Sequence, residues 1–260
     1  MLAAAVDRYL ADTTRDVSGD LVALIAPHAG LMYSGPVAAH AYRLLRGRTF
    51  DVAVLVGPSH FVGFDGVSVY PAGGFETPFG IAPIDEACAD ALLHTNPALK
   101  EHPSAHAREH SLEMQLPFLQ HLVPEVPIVP MVMGYQTEET AAALGDALAS
   151  VLRGKRALVI ASTDLSHYQD ARTAAELDAV VLDCVTRFDA EALQYALRLQ
   201  PDHACGGGPT VAVMRAASAL GARDAVLLKY ADSGDVSGDK SAVVGYMAAA
   251  FGNFARQSEP

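Results

Sequence analysis

Residues 52–60 read VAVLVGPSH, an apolar run of strand length that stops at a glycine and a proline and delivers a serine and a histidine. The same pattern recurs at 21–30, LVALIAPHAG, and at 157–167, ALVIASTDLSH. Further apolar runs fall at Val67–Tyr70, Ile128–Met133, Ala225–Tyr230 and Ala242–Met247, beside Leu21–Ala26, Val52–Val56 and Ala157–Ala161. Segments of helical period separate them, at 36–46, 84–95, 108–122, 137–153, 171–200 with a break near Phe188, and 209–221. Strand-length runs alternating with helices predict an α/β fold with a mostly parallel or mixed central sheet and helices on both faces. Pro36 and Pro209 are expected in first helical turns, where proline is tolerated. Residues 63–80, rich in glycine and proline, are expected to form an irregular excursion or a hairpin.

Composition bounds the rest. The chain has 260 residues, 51% hydrophobic and 18% charged, which excludes intrinsic disorder and supports a large core. No linker, repeat or low-complexity tract divides it, so residues 1–260 are read as a single α/β domain. Its net charge of -12, without a basic block, argues against nucleic acid and against anionic membrane surfaces as partners. The start, MLAAAVDRYLADTTRD, carries Asp7, Arg8 and Asp12 where a secretory signal needs an unbroken apolar stretch, and reads as a short amphipathic helix. No run of about 18 uncharged apolar residues occurs. A soluble, cytoplasmic chain is the expectation.

In open α/β sheets the site lies outside the carboxyl ends of the strands. His28, His60, Asp164 and His167 all stand just past such ends. A fourth polar element, HACGGGPT at 203–210, sets Cys205 before three glycines and Pro209, at the expected entrance of a helix. Unpaired N–H groups and the helix dipole there would lower a thiol's pKa and favour the thiolate. One histidine beside a strand end is more often structural. Three with a cysteine form the cluster that metal chemistry needs, because imidazole and thiolate suit iron, copper and zinc.

Other features carry less. Cys88 and Cys184 sit in helical apolar patterns and read as small buried hydrophobes, and three cysteines without a CxxC indicate no disulfide framework. His40, His94, His102, His121 and His203 show no partner pattern, and His106 with His110 lacks the HExxH context. Residues 108–115, REHSLEMQ, read as the opening of an amphipathic helix, and its Glu109, His110 and Glu113 are candidates to support metal-bound imidazoles from behind. GDVSGDKS at 234–241 has three residues between its glycines and an Asp before Lys240, which is wrong for a phosphate loop and reads as a turn. CGGGPTVA lacks dinucleotide-site spacing, and the absence of GxSxG makes Ser59 poor grounds for a serine hydrolase.

The blocks APHAGLMYSGPVAAHAY, VGPSHF, EHSLEMQLPFLQ, STDLSHY, ACGGGPTVAV and SGDVSGDKSAVVGYMA, in order between residues 26 and 248, resemble the Memo family, whose prokaryotic members are called AmmeMemoRadiSam system protein B. The resemblance implies a fold similar to class III extradiol dioxygenases, which hold non-haem iron with two histidines and a glutamate. It also implies a pocket in which His28, His60 and Cys205 ligate the metal and His167 is a further pocket histidine. Iron or copper is the ion expected first, with zinc also suited; thiolate in place of carboxylate shifts preference toward copper or zinc and alters iron's redox potential. A small-molecule substrate or ligand and, by family association, radical S-adenosylmethionine system proteins are the partners implied.

Three functions are open at this stage. The first is a metal-dependent redox enzyme, dioxygenase-like, in which His167, oriented by Asp164, is the general acid or base. The second is a module that binds a ligand or peptide in the same pocket without turnover. The third is a hydrolase that uses Cys205 as its nucleophile, with His167 or His60 as the base.

Overall fold

A computed structural model describes residues 1–13 and 17–255. Its elements, in chain order, are α1 (Leu2–Ala11), β1 (Gly19–Ala26), α2 (Leu31–Tyr42), β2 (Val52–Pro58), β3 (Val67–Val69), β4 (Gly74–Thr77), β5 (Gly80–Pro83), α3 (Glu86–Leu93), β6 (Leu99–Lys100), α4 (Pro103–His106), α5 (Leu116–Leu122), β7 (Ile128–Met133), α6 (Glu138–Leu152), β8 (Ala157–Ser162), β9 (His167–Gln169), α7 (Ala171–Thr186), α8 (Ala190–Leu199), α9 (Gly207–Ala219), β10 (Asp224–Asp232), α10 (Gly234–Ser237) and β11 (Val243–Phe254). The N-terminal stretch read as amphipathic contains α1; its residues 14–16 lie outside the described ones.

The main sheet runs β10-β11-β1-β8-β2-β7-β3-β6, with β9 paired to β11. Its centre, β1, β8, β2 and β7, is parallel, and antiparallel pairing brings in β11 beside β1 and β3 beside β7, so the sheet is mixed. Every residue of β2, β7 and β8 is buried, which requires cover on both faces. One helical group, α1, α2 and α5, packs together, and α6 and α8 pack on α9, which lies on β1, β2 and β8. Parallel register places Ala26 beside Ser162 and Pro58 beside Met133, so β1, β8, β2 and β7 all finish at one edge of the sheet. The histidine-bearing junctions therefore converge there.

Two expected helices differ most from the observed ones. The helix expected at 36–46 begins at Leu31 with Gly30 as its N-cap, which puts Pro36 inside it instead of in its first turn. Proline there leaves the Met32 carbonyl without its helical donor. Gly35, one residue earlier, lets Tyr9 of α1 come so close that a Cβ would lie 2.9 Å from its ring.

The second difference is the helix expected at 108–122, which starts only at Leu116, after a 3-10 turn at Glu113–Gln115. Upstream the chain leaves helical geometry so that the Glu109 carboxylate can accept hydrogen bonds from the amides of His110 and Ser111. Residues 63–80, expected as an irregular excursion or a hairpin, contain β3 and most of the β4–β5 hairpin. The break near Phe188 is a left-handed residue, φ 56°, between α7 and α8, and Asp189 caps α8 by accepting from the Ala192 amide.

Candidate metal centre

Each candidate side chain is held by the local chain around it. His28 follows β1 across Pro27, and its ring is 2% exposed. Its backbone amide and that of Ala29 donate to Asp164 Oδ1 at 2.8 and 3.3 Å, so the β8 exit loop shapes the turn that carries it. His60 follows β2, where the Ser59 amide continues the strand pairing by donating to the Met133 carbonyl. His167 opens β9 and is fixed by pairing with Val244 of β11. Cys205 is stitched to the same exit loop: its amide donates to the Asp164 carbonyl at 3.2 Å and its sulfur accepts from the Asp164 amide at 3.3 Å.

The glycines after Cys205 serve close packing of the chain on itself. A Cβ on Gly206 would stand 2.3 Å from the Ser162 carbonyl oxygen, and one on Gly208 would stand 2.7 Å from the Met133 sulfur. Gln136 bridges this junction, donating to the Cys205 carbonyl and accepting from the Gly208 amide, both at 2.7 Å.

His28, His60 and Cys205 come together with one ligand atom each, all within 4.8 Å of one another. His28 Nε2 is 3.2 Å from Cys205 Sγ, and the His28 and His60 rings meet edge to face at 5.2 Å between centroids. The far nitrogen of each ring is already engaged: His28 Nδ1 contacts Ser162 Oγ at 2.9 Å, and His60 Nδ1 contacts Glu109 Oε1 at 2.8 Å. Engaging Nδ1 in this way is how proteins aim Nε2 at a metal. His110 stacks on His60 at 4.8 Å, and with Glu109 and His60 makes a second group of suitable geometry. A third group, Asp164, His167 and Cys205, shares the sulfur. His167 Nε2 is buried with no hydrogen-bond partner, a polar atom that an ion or ligand would satisfy.

His28, Glu109 and Asp164 are the buried members of a site whose His60 and His110 are exposed. Burial lowers His28 to about 3, with the neighbouring His60 and His110 rings adding to the effect, so it stands neutral. At Glu109 burial pushes upward, but hydrogen bonds from the His60 ring, the His60 amide and the Ser111 amide outweigh it and hold the carboxyl down at about 2. Burial raises Asp164. The helix entrance was expected to lower the Cys205 thiol; burial, together with the neighbouring Asp164 charge, raises it instead. Cys205 stands one residue ahead of the Gly206 N-cap, and the dipole's help there is smaller than the cost of burying a thiolate. A metal ion would supply the missing positive charge.

Access comes from two sides of Cys205. A cavity of about 700 Å³ reaches it past Gln136, Arg198 and Gly208, and one of about 360 Å³ reaches it past His167, Tyr168 and Gln200.

The sequence-derived candidates His28, His60, Asp164, His167 and Cys205 thus lie around one sulfur. Glu109 and His110 also belong to the site, whereas His106 lies away from His110 and bonds Ser68 Oγ at 2.9 Å. Ser162 and Gln115 are participants that sequence reading passed over. Ser162 left a faint signal, a polar residue closing an otherwise apolar strand, and Gln115 left none. The GDVSGDKS segment is a helical turn, α10, whose Lys240 bonds Asp232 and Asp235 at 2.7–2.9 Å, so its charge is taken. Among the described residues no helix is long and apolar enough to cross a membrane.

Residues 2–250 match the family model described as Memo-like protein. A MEMO1 family protein of Methanothermobacter thermautotrophicus is 42% identical over 226 residues, covering 86% of this chain and 82% of that one. One from Methanosarcina mazei is 42% identical over 232 residues, covering 88% and 85%, and one from Methanopyrus kandleri is 40% identical over 242 residues, covering 92% and 86%. Among solved structures, an uncharacterized protein of Escherichia coli K12, JW3007, shares the fold with a TM-score of 0.58 at 16% identity, covering 90% of this chain and all of that one.

Proposed function

The chain belongs to the Memo-like family, and on that premise we propose that it is a metal-dependent redox protein, with iron or copper held by His28, His60 and Cys205. The observation that carries this reading is the meeting of two imidazoles, each with its Nδ1 engaged, and one partly buried thiol, their ligand atoms within 4.8 Å of one another. Zinc would satisfy the same donors. When bound, such an ion supplies positive charge, Lewis acidity and, for iron or copper, electron transfer to a small-molecule substrate.

The chain's own residues do the rest. Glu109 holds the His60 ring by its Nδ1 and its backbone by the amide. Asp164 fixes the turn at His28 through two backbone amides. His167, whose Nε2 has no protein partner, is free to hold or pass a proton at the substrate. A dioxygenase-like reaction is the chemistry this reading favours.

Elemental analysis of anaerobically purified protein tests it. About one iron or copper per chain, lost in His60→Ala, supports the proposal. Protein that takes up neither ion contradicts it. Electron paramagnetic resonance of the loaded protein through an oxidation and reduction cycle separates a redox centre from a zinc site.

One observation favours a second reading. The 3.2 Å contact of Cys205 Sγ with His28 Nε2 is also the geometry of a nucleophile with its base. Against it, burial makes His28 a poor base and Cys205 a poor acid, so thiolate formation by transfer between them is uphill. Alkylation of Cys205 by iodoacetamide at neutral pH in metal-free protein would favour the nucleophile.

A further inference from the structure

His28 presents its Nε2 to Cys205 through a buried hydrogen-bond network in which each member can take only one role. Ser162 Oγ has three partners: the Ser111 carbonyl at 2.6 Å, Gln115 Nε2 at 2.8 Å and His28 Nδ1 at 2.9 Å. A hydroxyl has one proton to give and two lone pairs to offer. The Ser111 carbonyl can only accept, so it takes the proton. The Gln115 amide nitrogen can only donate, so it takes one lone pair. What remains for His28 is the second lone pair, and Nδ1 must therefore carry a hydrogen.

The neighbours of the Gln115 amide decide which way it faces. Its Nε2 lies 3.0 Å from the Pro27 carbonyl, and its Oε1 accepts from the Tyr42 hydroxyl at 2.8 Å. A flipped amide would set oxygen against the Pro27 carbonyl oxygen. Gln115, Ser162 and Tyr42 are all fully buried or nearly so, leaving water no place to relax these roles.

We propose that Gln115 and Ser162 are positioning residues that lock neutral His28 in its Nδ1–H form, so that the bare Nε2 lone pair faces Cys205. The network runs from Tyr42 on α2 through Gln115 beside α5 to Ser162 at the end of β8, so packing between elements sets the protonation site of the ring. An unconstrained histidine side chain prefers the opposite form, with hydrogen on Nε2, which here would point an N–H at the sulfur and block ligation. His60 is held differently, by the Glu109 carboxylate, so the two imidazoles are oriented through unlike supports.

The functional meaning of this lock rests on reading His28 as a metal ligand, but the lock itself is measurable without metal. Ring-15N-histidine is incorporated into the metal-free protein, and the His28 signals are assigned by their loss in His28→Gln. Long-range proton–nitrogen correlation should show Nδ1 protonated in the wild type, a result that needs no destabilised variant. In Ser162→Ala, and in Gln115→Leu should the former not fold, the Nδ1–H signature should weaken or invert. Zinc or cobalt affinity by chelator competition should then fall by about 10–100-fold. A wild-type ring protonated on Nε2, or variants that keep the Nδ1–H signature and full affinity, would overturn the proposal. Should the wild type show Nδ1–H and the variants lose it while none takes up metal, the lock stands and the metal reading fails.

Discussion

Replacing Glu109 by glutamine separates support of the metal site from support of the fold. The carboxylate is 5% exposed and accepts four hydrogen bonds: from the His60 ring at 2.8 Å, the His60 amide at 2.6 Å, and the His110 and Ser111 amides at 2.9 Å each. Three of these go to Oε1 and one to Oε2. In Glu109→Gln the amide oxygen serves best at the Oε1 position, which sets the new NH2 against the His60 amide, donor to donor. One partly buried N–H is then left unpaired, at about 1–3 kcal/mol, and the other three bonds fall to roughly half their charge-assisted strength. The expected loss of stability is about 2–4 kcal/mol, read as a lower urea midpoint for metal-free protein. Because His60 also loses the carboxylate that aims its Nε2, metal affinity by chelator competition should fall a further 10–100-fold, or about 1.4–2.7 kcal/mol. Lowered stability with unchanged affinity would refute the argument, since Glu109 would then brace the loop without serving the ligand.

Three further outcomes follow from the same geometry. Cys205→Ser should leave the urea midpoint within about 1 kcal/mol of the wild type while removing most iron or copper retention, because a hydroxyl is a hard, weak ligand; equal metal content in the variant counts against the thiolate. Metal uptake must displace the thiol proton, so affinity should weaken as pH falls, by about tenfold per unit between about pH 6 and 8, and a flat profile there removes Cys205 from the ligand set. The buried thiol's raised pKa extends that dependence through neutrality, whereas His28, lowered to about 3, adds nothing to it in that range. Gly206→Ala drives a Cβ to 2.3 Å from the Ser162 carbonyl oxygen and should cost about 1–3 kcal/mol, whereas an unchanged midpoint would mean the junction yields freely.

The apolar runs were legible because parallel central strands are buried on both faces and leave little room for polar residues. Ile128–Met133 lies just where the sequence puts it, and the break between α7 and α8 falls at Phe188. The site's main candidates were legible for a related reason: a polar residue directly after such a run can only lie at the sheet's edge. Glu109 could not be located that way. Its segment has helical periodicity, yet the pull of four N–H donors on one carboxylate outweighs local propensity and unwinds the expected helix to Leu116. Pro36 misled in the same manner, because buried contacts of α2 with α1 and the sheet outweigh one missing backbone hydrogen bond. Gln115 and Ser162 act through partners distant in the chain, Tyr42 and His28, and no spacing rule reaches across that distance.

The proposed site places one ion between two imidazole nitrogens and the Cys205 sulfur. X-ray absorption of the anaerobically reconstituted protein tests it most directly. For a zinc-loaded sample one sulfur scatterer at about 2.3 Å is expected with nitrogen ligands near 2.0–2.1 Å, and the sulfur shell is lost in Cys205→Ser. A shell of light atoms alone in the wild type, or a sulfur shell that survives in Cys205→Ser, would contradict it.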